Sequence, residues 1–135
     1  MTQLKEVAGD FDFEFFFPGV AAGTAIEVPM VIMPFNALIT SVKWTPAAAV
    51  TANVTNYATL SFRNRTQAGT GTAVPASRAY SATNSAAQTA EAMTLSGTAS
   101  DLQPALGDVL TLAVAHSGTG LLIPPGLVQV KARVR

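Results

Sequence analysis

The chain has 135 residues, of which only 12% are charged, eight basic against eight acidic for a formal net charge of zero. An ordinary soluble domain carries about 25% charge, whereas the hydrophobic content of 49% is usual. These figures exclude a disordered chain, a membrane-spanning helix of about 18 apolar residues and a global basic field for nucleic acid.

In chain order, Met1 to Gly9 carry no turn signal and read as a short N-terminal arm, ahead of a single domain over 10–135. They also lack the basic-then-apolar pattern of a leader, so a chain made in a cytoplasm is expected. From Asp10 the sequence alternates, with Phe11, Phe13 and Phe15 facing one way and Asp10, Asp12 and Glu14 the other, until Pro18-Gly19 stops it. That is a half-buried strand. Ala25 to Met33 is a second apolar segment, which Pro29 assigns to a sheet edge or a bulge. Ala37 to Thr45 sets Leu38, Thr40, Val42 and Trp44 against Ile39, Ser41 and Lys43. Pro46 then opens a loop of small residues, Ala47, Ala48, Ala49 and Ala52, which leaves room for another backbone but reads first as plain surface.

Tyr57 to Asn64 places Ala58, Leu60 and Phe62 opposite Tyr57, Thr59, Ser61 and Arg63. A Gly/Ala/Ser/Thr-rich stretch over 66–87 holds one weak strand near Ala73 to Tyr80, and Thr89 to Leu95 reads as another. Gly107-Asp108 launches Val109 to Ala115, Gly118-Thr119-Gly120 forms a turn, and Pro124-Pro125-Gly126 precedes a last strand from Leu127 to Val134. About eight short strands with regular turn signals imply an all-β antiparallel sandwich, jelly-roll-like.

Charge is zoned along the chain. Residues 1–40 hold one base against five acids, and 41–80 hold Lys43, Arg63, Arg65 and Arg78 with no acid. Glu91, Asp101 and Asp108 follow, and Lys131, Arg133 and Arg135 close the chain on one strand face. An acidic start and a basic finish can pair within one subunit or across two.

Catalytic patterns are scarce. His116 is the single histidine and cysteine is absent, which excludes thiol catalysis and cysteine-held metal. A triad drawn from His116, Ser117 or Ser96, and Asp101 or Asp108 lacks a nucleophile elbow. Asp10, Asp12 and Glu14 sit about 7 Å apart along one face, but a flat strand makes no cleft. No phosphate-binding glycine loop occurs. The reading is a non-enzyme without cofactor or metal. The apolar surplus says more: Phe15, Phe16 and Phe17 place aromatics on both faces of one strand, which marks them as subunit-interface residues unless Phe16 turns inward at a bulge.

Several segments carry a resemblance. They are Thr55-Asn56-Tyr57-Ala58-Thr59-Leu60 with Arg63-Asn64-Arg65, the Gly69 to Thr72 tract, and Leu106-Gly107-Asp108-Val109-Leu110. Gly118-Thr119-Gly120 and Pro124-Pro125-Gly126-Leu127-Val128 complete the set. In order and spacing, over about residues 36–134, the chain resembles small capsid decoration (head cement, head fibre) proteins of tailed bacteriophages.

The resemblance implies a virion protein on the capsid exterior, a trimer, with the major capsid protein as partner and neither nucleic acid nor membrane bound. Leu4, Lys5, Glu6 and Val7 of the arm are then the expected capsid contacts. The rival expectation is a carbohydrate- or receptor-binding module of a fibre or tail, which would need Trp44, Tyr57 or Tyr80 as an exposed platform.

Overall fold

The computed structural model describes residues 9–135. The expected contacts Leu4, Lys5, Glu6 and Val7 lie outside the described residues. Among the described residues nine strands form: β1 (Asp10–Phe17), β2 (Ile26–Ile32), β3 (Ala37–Pro46), β4 (Tyr57–Asn64), β5 (Ala73–Ala79), β6 (Glu91–Ala92), β7 (Thr94–Leu95), β8 (Val109–Ser117) and β9 (Gly126–Val134). One short 3-10 turn, Ala99–Leu102, precedes β8.

The strands pair antiparallel into two sheets, in the orders β1-β9-β3-β6 and β2-β8-β4-β5-β7. The chain passes repeatedly from one sheet to the other, so each sheet interleaves strands from both halves of the sequence. This is the sandwich expected from the alternation, in a jelly-roll-like order. The extra strand comes from Thr89 to Leu95, expected as one element. Its Glu91–Ala92 part pairs with β3 and its Thr94–Leu95 part with β5 in the opposite sheet. Buried Met93 sits at the crossing, its N–H donating to the Val42 carbonyl at 2.8 Å.

Alternation predicts the inward face correctly for most strands. In β4, Ala58, Leu60 and Phe62 are buried, and in β9 Val128, Val130 and Ala132 are. β3 departs from it. A bulge between Ile39 and Ser41 inserts one residue against β9, so Ala37, Ile39, Val42 and Trp44 all face the core. Strict alternation would have placed Ile39 opposite Trp44; the extra residue restores phase. Pro29 lies on an edge strand beside a bulge, as its missing N–H requires.

Registers gather the loops 18–25, 47–56, 80–90 and 118–125 at one end of the sandwich. There Val50 and Ser85 exchange backbone hydrogen bonds at 2.9 Å, so the alanine-rich loop does admit a second backbone.

A polar network joins the sheets at this end. Trp44 Nε1 donates to Tyr80 Oη at 3.0 Å, Tyr80 Oη meets Ser85 Oγ at 2.7 Å, and Ser85 Oγ donates to Glu91 Oε2 at 2.9 Å. The Glu91 carboxylate can only accept, so the hydroxyl protons must run from Tyr80 to Ser85 to Glu91. Arg78 projects from β5 toward the interior, ion-pairs with Glu91, donates to Asn84 O at 2.9 Å and lies over the Tyr80 ring. The Arg78 guanidinium and the Glu91 carboxylate offset each other's charge here, although Arg78 Nε itself is buried without a hydrogen-bond partner among the described residues.

Tyr80→Phe removes the acceptor of a buried indole N–H and should cost about 1–3 kcal/mol of stability. Phe17→Ala should cost about 3–5 kcal/mol, because Phe17 packs edge-on against Trp44 with ring centroids 5.9 Å apart. Urea denaturation checks both, as a lower midpoint at unchanged slope.

Candidate interaction surface

The outer face of the four-stranded sheet is built by the unbroken register of β1 against β9. Asp10 lies opposite Arg133 and pairs with it at 3.2 Å; Asp12 lies opposite Lys131 at 3.7 Å. Gln129 Nε2 donates to Glu14 Oε1 at 3.1 Å. The acidic start and basic finish of the sequence therefore meet within one chain. The next rung is Phe16 opposite Leu127, and Thr45 of β3 follows on the far side of Leu127. Charge thus gives way to apolar surface over a single step of the ladder.

Of the three expected interface residues, the structure presents only one fully to the outside. Phe16 is 69% exposed and does not turn inward, because no bulge interrupts β1. Phe15 faces the interior and is half-buried. Phe17 is fully buried, which corrects the expectation for this residue: it belongs to the core, and alternation after Phe11, Phe13 and Phe15 already pointed there.

The apolar surface continues from both strands into the loops. Pro18, Gly19, Val20 and Ala21 on one side and Leu122, Ile123, Pro124 and Pro125 on the other line a shallow groove of about 310 Å³. Val20 and Ile123 exchange backbone hydrogen bonds at 2.9 and 3.0 Å, which fixes the groove walls. Gly19 has φ +82°, and a Cβ there would stand 2.8 Å from Pro125 N, so both conformation and space require glycine. Leu127, at 38% exposure, lies opposite Phe16, and Leu122, at 60%, lines the groove in the loops that follow. The Val20–Ile123 bridge sets the Leu121-Leu122-Ile123 run beside the segment that follows β1.

His116 is a latch for these loops. Its Nε2 lies 2.9 Å from Thr24 O, and Leu121 N donates to its Nδ1 at 3.3 Å. The first contact requires the proton on Nε2, and the second leaves Nδ1 as acceptor. The residues of the paper triad are engaged separately. Asp101 accepts from Ser96 Oγ at 2.7 Å, while buried Asp108 accepts from Asn64 Nδ2 and Ala105 N, both at 2.9 Å. Trp44 and Tyr80 lie in the core and Tyr57 packs half-buried against it, so none forms an open sugar platform.

A second polar feature lies on the outer face of the five-stranded sheet. Glu27 of β2 accepts from Arg65 Nε at 2.6 Å, from Thr111 Oγ1 at 2.8 Å and from Arg63 Nη1 at 3.3 Å. The Arg65 hydrogen bond leads in lowering the Glu27 carboxyl from 4.5 to about 2 against the opposing effect of burial. Thr111 and the charges of Arg65 and Arg63 lower it further. Beside the cluster is an open depression of about 330 Å³, with Ser61, Ala113 and Ala115 among its lining residues. Among the described residues, no group of three or more His, Cys, Asp or Glu is placed to hold a metal ion.

Comparison with protein-family models, curated proteins and solved structures gives no match to this chain.

Because the Glu27 pKa is depressed in the folded chain, its contribution to stability is complete above 4.5 and is lost as pH falls towards about 2. Glu27→Gln should therefore flatten the acid limb of the stability curve over that window, as measured by denaturation at stepped pH. Phe16→Ser, at an exposed site, should leave stability within about 0.5 kcal/mol of the parent in the same assay.

Proposed function

We propose that the protein is a structural component of a phage particle, a decoration protein that binds the outer face of the capsid as a homotrimer. Its partner is the major capsid protein, and its action is binding alone: it bridges neighbouring capsomers and adds contacts to the shell. The chain is made in the host cytoplasm and ends on the virion exterior.

The observation that carries this reading is the exposed apolar pair Phe16 and Leu127 on the outer face of the four-stranded sheet, with Leu122 exposed in the neighbouring loop. Contiguous exposed apolar groups of this kind mark contact surfaces. The motif order over residues 36–134 supplies the kind of assembly. The carbohydrate-binding alternative is the weaker reading, because two of its three aromatic candidates, Trp44 and Tyr80, lie in the core and the third, Tyr57, is half-buried.

The test is co-sedimentation of the purified chain with phage capsid shells, together with light scattering of the free protein. The expected result is a trimer that pellets with the shells. Leu127→Asp should weaken shell binding by about tenfold or more while the chain stays folded. A folded monomer that remains in the supernatant would overturn the proposal.

A further inference from the structure

The four sheet edges are not alike. β6 and β7 are two residues long, and β2 is interrupted by Pro29 and a bulge. Each is an edge blunted in a way that discourages pairing with another chain. β1 is the exception. It runs eight residues without proline or bulge, and among the described residues its backbone pairs with β9 alone. Its free side therefore offers an uninterrupted row of backbone donors and acceptors.

The side chains along that edge have two distinct faces. Toward the interior, Phe11, Phe13 and Phe15 are half-buried, and Phe35 packs on Phe11 and Phe13 with ring centroids 5.0 and 6.2 Å apart. An added strand would lay every second side chain against these rings. Toward the outside stand Asp10, Asp12 and Glu14. Lys131 and Arg133 answer two of these acids from the β9 side, while Glu14 meets only the neutral Gln129. The row stays net negative.

We infer that β1 is a strand-addition site for an extended segment of a partner protein in which apolar residues alternate with lysine or arginine. A second copy of this chain does not fit. Antiparallel pairing of β1 with another β1, centred on Asp12, Phe13 or Glu14, sets like charges opposite each other, which is destabilising. The remaining edges are not basic either: β2 carries Glu27, β6 carries Glu91, and β7 is Thr94–Leu95. Charge complementarity thus points to a different chain, and backbone hydrogen bonds would supply the affinity. This inference stands apart from the capsid proposal, which uses the Phe16–Leu127 patch.

The test is titration of the full-length protein with two synthetic peptides, Val-Lys-Val-Arg-Val-Lys-Val and Val-Glu-Val-Asp-Val-Glu-Val, followed by amide hydrogen exchange. The basic peptide should bind at least about tenfold more tightly and should protect β1 amides that exchange freely in the unbound protein. Glu14→Lys, which disturbs no ion pair, should reduce or reverse that preference. Equal binding of the two peptides, binding of neither, or protection of both edges of β1 before any peptide is added would each overturn the proposal.

Discussion

The chain from Trp44 through Tyr80, Ser85 and Glu91 to Arg78 is the constraint on which the arrangement of the loops depends. Trp44 and Glu91 belong to the four-stranded sheet and Arg78 to the other, with Tyr80 just past the end of β5 and Ser85 in the loop beyond. An indole N–H, two hydroxyls, a guanidinium and a carboxylate at the sandwich interior cannot be left without partners. The indole, the two hydroxyls and the carboxylate satisfy one another in one direction, and Arg78 Nη2 donates to Ser85 Oγ at 3.0 Å while its Nε has no partner among the described residues. Sliding one sheet against the other would strand several of them together, so the network penalises alternative packings more strongly than apolar contacts can. It also holds the 80–90 loop against the alanine-rich loop, and through Ala47 and Pro125 the restraint reaches the groove beside Phe16.

The same economy of charge explains the surface. Glu27 engages Arg63 and Arg65, Glu91 engages Arg78, and Asp10 and Asp12 engage Arg133 and Lys131. The zones of like charge along the sequence are therefore complementary halves that the fold brings together. Among the described residues, what remains outward is largely small, neutral side chains, with exposed apolar groups that include Phe16 and Leu127 near the loop end and Ile32 and Leu106 elsewhere. A molecule built this way has little long-range field of its own, and its contacts must come from shape and apolar area.

Much of the fold was legible because strand alternation is a local signal. The Phe/acid pattern of β1, the Val/base pattern of β9 and the Ala-Leu-Phe face of β4 each needed only neighbouring residues. Legibility failed where the decisive partner is distant. The β3 bulge depends on register with β9, about ninety residues later, and no residue in Ile39-Thr40-Ser41 announces it. The division of Thr89 to Leu95 between two sheets was hidden for the same reason, since two-residue strands carry no periodicity. The site was half legible. Phe16 was marked by aromatics on both strand faces, but its neighbour Leu127 is joined to it only by the β1–β9 register, and Leu122 is brought near β1 only by the Val20–Ile123 bridge. Glu27 gave no sign of its arginine partners 36 and 38 residues away.

The most direct check on the inter-sheet network is hydrogen exchange of the indole N–H of Trp44, a single resonance because the chain has one tryptophan. If Tyr80 holds that proton inside the sandwich, it should exchange only by global unfolding, at the free energy of the slowest β3 and β9 amides. Fast exchange of the indole while those amides remain protected would contradict the account.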